Sequence, residues 1–260
     1  MLSYQHIYHA GNLADVHKHF LLASVLGYLT RKDKPLTYIE THAGRGLYDL
    51  SDSAAQKTGE AAAGIEKMRP MLDDSHPYTK ALSDIRKQFG PAAYPGSPLL
   101  AASLLRPDDC IHLAELHPRE NEALRTNLSP FSASCHLQDG FALAHSLCPP
   151  TPRRGLMVID PSWEIKSDYD AIPRHIAKIT RAWNVGIIAL WYPLLKARAH
   201  DKMLATLEKN NADTFRSEVR FPPARDGHGM VGSGMFFINT PYGLAESAAK
   251  ISGMFQRMAT

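Results

Sequence analysis

Short β-forming runs alternating with helical segments predict an α/β protein, a largely parallel sheet with helices on both faces. Two further observations support this. Four of the apolar runs end in turns that carry a glycine or a carboxylate. In addition, 44% of the 260 residues are hydrophobic and 21% are charged, the balance of an ordinary globular chain. That length suits one large domain, or one domain with a small insertion.

Residues 14–31 carry apolar side chains at helical spacing (Val16, Phe20, Leu21, Val25, Leu29) and read as a first helix, ended by Lys32-Asp-Lys-Pro35. Residues 36–40 read as a short strand, followed by the turn Thr41-His42-Ala43-Gly44-Arg45-Gly46. The rhythm then breaks. Helical patterns over 61–71 and 78–89, with no strand, predict an inserted helical subdomain at 47–96, closed by Tyr94-Pro-Gly-Ser97-Pro98. Residues 1–46 and 97–260 are expected to form the main domain. Beyond the insertion the alternation returns: strand 110–116, helix 118–128 opening on a proline, strand 134–138, helix 141–147, and the buried strand 155–159. A helix over 168–183, a strand over 186–191 and a helix over 198–210 come next. A terminal strand pair at 214–221 and 234–239 and a helix over 242–258 complete the chain.

The net charge of +3 is compatible with a polyanionic partner without requiring one. Cys110, Cys135 and Cys148 show no C-x-x-C spacing, which predicts reduced thiols in a reducing compartment and no zinc site. The apolar run 20–29 is too short to span a membrane, and the segment before it does not suit a signal peptide. A cytoplasmic monomer without metal is expected.

Four turns should share the carboxyl edge of the sheet, where open α/β sheets bind ligands: His42-Ala-Gly44-Arg-Gly46, Glu115-Leu-His117, Asp139-Gly140 and Asp160-Pro161-Ser162-Trp163. Glycines admit a nucleoside cofactor and a carboxylate accepts from ribose hydroxyls. A nicotinamide dinucleotide is disfavoured, because the third glycine of G-x-G-x-x-G and the acidic residue about 20 positions later are missing. No phosphate-binding G-x-x-x-x-G-K-[ST] occurs. The last turn brings together a carboxylate (Asp160), a free carbonyl (Pro161) and a flat ring (Trp163), a clamp for a planar amine such as the N6 of adenine.

This order of turns resembles the class I S-adenosylmethionine-dependent methyltransferases, and the last turn resembles the [DN]-P-P-[YFW] signature of their adenine-N6 branch. Further motifs make the chain similar to the RlmJ family: Tyr4-x-His6 through His9-Ala-Gly-Asn12, Asp15-Val-x-Lys18-His19, Asp33-Lys-Pro35, Thr41-His-Ala-Gly44-x-Gly46, Tyr94-Pro-Gly-Ser-Pro98 and Glu115-Leu-His-Pro118. The resemblance implies a Rossmann-like class I methyltransferase fold with S-adenosyl-L-methionine as cofactor. It implies methylation at N6 of one adenine of 23S ribosomal RNA (position 2030 of that RNA), naked or partly assembled. Lys18, His19, His42, Gly44, Ser97, Glu115, Asp139, Gly140 and Asp160 would line the cofactor site. Tyr4, His6 and Trp163 would meet the RNA, and Asp160 would be the catalytic acceptor. The chain departs from the signature in two places: Ser162 stands for the second proline and Trp163 for tyrosine. Arg45, Arg153, Arg154, Lys166, Arg174, Lys196 and Arg198 are candidate phosphate contacts. Other readings keep the chemistry on DNA adenine, another RNA or a protein amide, or make the chain a catalytically silent RNA-binding module.

Overall fold

In the computed structural model, which describes residues 5–223 and 229–259, a seven-stranded sheet forms the centre. The elements in chain order are α1 (Leu13–Leu29), β1 (Thr37–Glu40), β2 (Leu47–Asp49), α2 (Ser53–Gln56), α3 (Pro77–Phe89), β3 (Ala93–Pro95), α4 (Ser97–Leu104), β4 (Cys110–Ala114), α5 (Pro118–Asn127), β5 (Ala133–His136), α6 (Gly140–Leu147), β6 (Gly155–Ile159), α7 (Asp168–Ala182), β7 (Ile187–Leu195), α8 (His200–Asn210), β8 (Thr214–Arg220), β9 (Met230–Ile238) and α9 (Leu244–Ala259). The strand order is β5-β4-β1-β6-β7-β9-β8. The first five strands run parallel, and β9 runs antiparallel to both β7 and β8.

The period of two along each strand sorts side chains to two cores. Leu156 and Val158 join α1, α3, α4 and α9 on one face. Met157 and Ile159 join α7 and α8 on the other. Burial on both faces explains why β6 reads as an unbroken apolar run. Helix starts are set locally: Asn12 accepts from the Asp15 N–H, His117 precedes Pro118, and the Asp139 side chain accepts from the Ala142 N–H.

The structure differs from the sequence reading between β1 and α4. Leu47–Asp49 and Ala93–Pro95 form a small antiparallel pair. At three residues each, they are too short to show a period. The helix expected over 61–71 is irregular: Ala62–Glu66 breaks at Gly64 (φ −96°, ψ −106°). A Cβ there would fall 2.1 Å from the Gly11 carbonyl oxygen, and the Ile65 N–H donates to that oxygen at 2.8 Å. Ser97-Pro98, expected in a closing turn, begins α4. β7 also runs past Trp191 through Pro193 to Leu195. Pairing with β6 stops at Leu190, so Pro193 needs no N–H on that side.

Candidate active site

β6 lies between β1 and β7, so Asp160 leaves the sheet at the middle of its carboxyl edge. Its Oδ2 accepts from Lys18 Nζ at 2.6 Å. Lys18 belongs to α1, which precedes the sheet in sequence and lies across its face. The ammonium is buried and also sits 3.1 Å from Asp15 Oδ1, one turn earlier. Burial works against the Lys18 charge, but Asp160 and Asp15 outweigh it and hold its pKa well above the usual range. Asp15 is itself buried. It accepts from the Gly11 N–H at 3.0 Å and bonds His6 Nε2 at 2.9 Å. Burial pushes the Asp15 carboxyl up, yet His6, Lys18 and His19 together hold it well below the usual carboxylate range. His6 is thereby brought to the Lys18–Asp160 pair. His19 bonds Tyr94 Oη through Nδ1 at 3.0 Å, while its Nε2 has no hydrogen-bond partner among the described residues. Burial lowers its pKa to about 3, so the ring is neutral.

On the neighbouring strand, Glu40 is fully buried and accepts from Tyr38 Oη at 2.7 Å and Ser97 Oγ at 2.5 Å. Burial raises its pKa to about 8, against the pull of those two bonds. The Ser97 hydroxyl is thus directed to Glu40. Asp15 and Glu40 were not singled out from the sequence. The available signal was one carboxylate on the helix face that also carries Lys18 and His19, and another ending an apolar strand.

The other edge turns converge beside this centre. Gly44, at φ +63°, donates its N–H to Glu115 Oε2 at 2.8 Å, and Glu115 Oε1 accepts from the His117 N–H at 2.7 Å. One carboxylate therefore ties two turns together and keeps a further lone pair on each oxygen. Burial raises the Glu115 pKa, the two N–H bonds opposing it. A Cβ on Gly44 would lie 2.7 Å from Tyr48 Oη, and one on Gly140 would lie 1.9 Å from the Thr41 carbonyl oxygen. Asp139 is exposed and caps α6. His42 bonds Thr41 Oγ1 at 2.7 Å and meets Phe141 edge-on at 5.6 Å; burial lowers its pKa to about 4. This set fits an adenosine-bearing cofactor: carboxylate acceptors for ribose hydroxyls and an amine, with backbone kept close by glycines.

Trp163 is placed differently from an open platform. It is 9% exposed, at φ +58°, and its ring lies 4.6 Å from that of Tyr169 in the core beneath α7. Its Nε1 is buried without a hydrogen-bond partner among the described residues. Pro161 is buried and Ser162 exposed. Tyr4 lies outside the described residues. The candidate phosphate contacts divide. Arg45 is engaged by Glu120 at 2.6 and 2.8 Å. Arg153 and Arg154 precede β6 and so lie at the amino edge, opposite the site; Arg154 is spent on the Leu29 and Lys34 carbonyls. No metal-binding group of side chains occurs among the described residues, and no helix among them is long and apolar enough to cross a membrane.

Six strands of one direction, an antiparallel strand inserted before the edge, and acidic and glycine turns along the carboxyl edge define a class I methyltransferase. The chain belongs to the RlmJ family: the family model described as ribosomal RNA large subunit methyltransferase D, RlmJ, matches residues 33–259. It is similar to the ribosomal RNA large subunit methyltransferase J of Escherichia coli K12, at 39% identity over 95% of this chain and 90% of that one. The protein of the same name from Haemophilus influenzae is 37% identical over 96% and 92%. A crystal structure of a Legionella pneumophila protein superposes with a TM-score of 0.85 at 35% identity, covering 97% of this chain and 93% of that one.

Proposed function

We propose that this protein transfers a methyl group from S-adenosyl-L-methionine to N6 of an adenine in 23S ribosomal RNA. The observation that carries the reading is the Asp160 carboxylate at the edge of the sheet. One oxygen is fixed by Lys18, and the other makes no hydrogen bond among the described residues. The side chain keeps 15% of its surface exposed.

The N6 lone pair of adenine is delocalised into the ring and is a poor nucleophile. Oδ1 of Asp160 and the Pro161 carbonyl, accepting from the amine, draw the nitrogen toward a tetrahedral geometry and free that pair. When bound, the cofactor supplies a sulfonium methyl that needs little further activation. The protein's work is then alignment. Lys18, held by Asp15, fixes the plane of the Asp160 carboxylate, and Asp160 receives or relays the departing proton. Glu115 orients the ribose, Asp139 accepts from the adenine amine of the cofactor, and Gly44 and Gly140 keep the backbone close. His19, His42 and Ser97 complete the cofactor walls. Tyr4 and His6 meet the RNA, while Trp163, packed in the core beneath α7, supports the Asp160 turn from behind.

The base must leave its stack to reach Asp160, which favours naked or partly assembled RNA in the cytoplasm. The test is labelled methyl transfer to naked 23S ribosomal RNA, to assembled large subunits and to DNA. Label on adenine N6 of the naked RNA is expected. Transfer only to DNA, or none at all, overturns the reading.

A further inference from the structure

The strands β7, β9 and β8 outrun the rest of the sheet. Pairing of β6 with β7 ends at Ile159↔Leu190, whereas β7 continues against β9 to Leu195. At roughly 3.3 Å per residue, the tip stands about 16 Å beyond the end of β6. Register fixes the heights. Leu190 and Arg216 both oppose Phe236, level with Ile159; Leu194 and Arg220 both oppose Gly232, four residues higher. Alternation fixes the face. Ser217 turns to His17 of α1, so Arg216, Glu218 and Arg220 turn the other way, toward α8. Tyr192, whose hydroxyl donates to Glu218, shares that face with Trp163.

At this tip lies a cavity of about 520 Å³, whose charged lining is Lys196, Arg198, Arg216 and Arg220 against Asp201 and Glu218. Asp201 is bound to Arg198 at 2.7 Å, and Glu218 lies 3.6 Å from Arg216. Lys196 and Arg220 have no carboxylate partner among the described residues. Both are exposed. The cavity therefore presents two unneutralised cations above the catalytic edge, on the face where the Asp160 turn enters the core.

We propose that this cavity docks backbone phosphates of the RNA strand flanking the target base, with Lys196 and Arg220 as the contacts. The proposal rests on the RNA reading above. With a base held at Asp160, the strand crosses about 16 Å in about five nucleotides at a helical rise of roughly 3.4 Å. Its phosphates then reach the tip. Such contacts position the RNA without reading its sequence.

The test uses the full chain, naked 23S ribosomal RNA, and the double variant Lys196→Ala, Arg220→Ala. The slope of log affinity against log salt should fall by roughly 1.5, from the loss of two phosphate contacts. KM for RNA should rise on the order of tenfold, with kcat and cofactor affinity unchanged. The charge-conserving pair Lys196→Arg, Arg220→Lys should restore the parent slope. Lys196→Glu alone should weaken RNA binding further than Lys196→Ala. If the parent protein methylates the RNA and the double variant matches it in slope and KM, the docking site is wrong and the RNA reading stands. If the parent transfers no methyl to this RNA, both fall.

Discussion

Asp160 divides its work between two oxygens, one held by Lys18 and one left for the amine. Asp160→Asn keeps an acceptor there but places an amide against the ammonium, so the group can no longer be aligned or take a proton. Methyl transfer should fall by about 100-fold or more, with RNA affinity within about twofold; unchanged turnover would remove Asp160 from the mechanism. Trp163 is a second residue-scale case. A bulky side chain at φ +58° is strained, and its indole N–H is buried without a partner among the described residues. Trp163→Ala should lower unfolding free energy by about 3 kcal/mol or more, because the ring is core. Trp163→Phe discards the unpartnered N–H and should hold or raise stability. Denaturant titration of the two variants separates the packing role from any role in placing the base, which RNA KM reports.

The contact between α6 and β1 is the sharpest constraint at the scale of elements. A Cβ at position 140 would meet backbone, not a side chain that could swing away. Gly140→Ala should therefore push α6 off the β1 edge, costing about 1–3 kcal/mol and weakening cofactor binding in calorimetry. A variant that binds as the parent does would show that α6 yields freely. The core strands and helices were legible in the sequence because each is long enough to show its period, and the four edge turns because each follows such a strand. The extension of β7 was not, since Pro193 reads as a strand end until the missing neighbour on its β6 side is known. Asp15 and Glu40 were hidden for a related reason. Each sits in an apolar pattern, and partners such as Asp160 (through Lys18) and Ser97 are supplied by remote segments. Arg153 and Arg154 were misread because a run of charge does not say which edge of a sheet it lies on.

For the whole molecule, buried titratable groups set a stability profile. His17 and His19 are held at about 3, and His42 at about 4, chiefly by burial, against 6.5 in the unfolded chain. Between those values the unfolded state binds more protons. Their contribution to stability is therefore complete above about pH 6.5 and lost as pH falls toward 4 and below. Glu40, at about 8 against 4.5, acts in the opposite sense, and its contribution is lost as pH rises from 4.5 through 8. Thermal midpoints between pH 4 and 9 should peak near 6.5. His17→Gln should flatten the acid limb and Glu40→Gln the alkaline limb; parallel curves for parent and variants would contradict this assignment. His17 has another consequence. Its two ring nitrogens bond Ser217 and Ser233, 200 and 216 residues away, one position from the lysine that holds Asp160. The helix that bears this lysine is thus fastened to the sheet in part by strands some 200 residues further along the chain. The lysine that holds Asp160 is thereby steadied from β8 and β9, so loosening that end of the sheet would reach the centre through α1 without touching any residue that lines it.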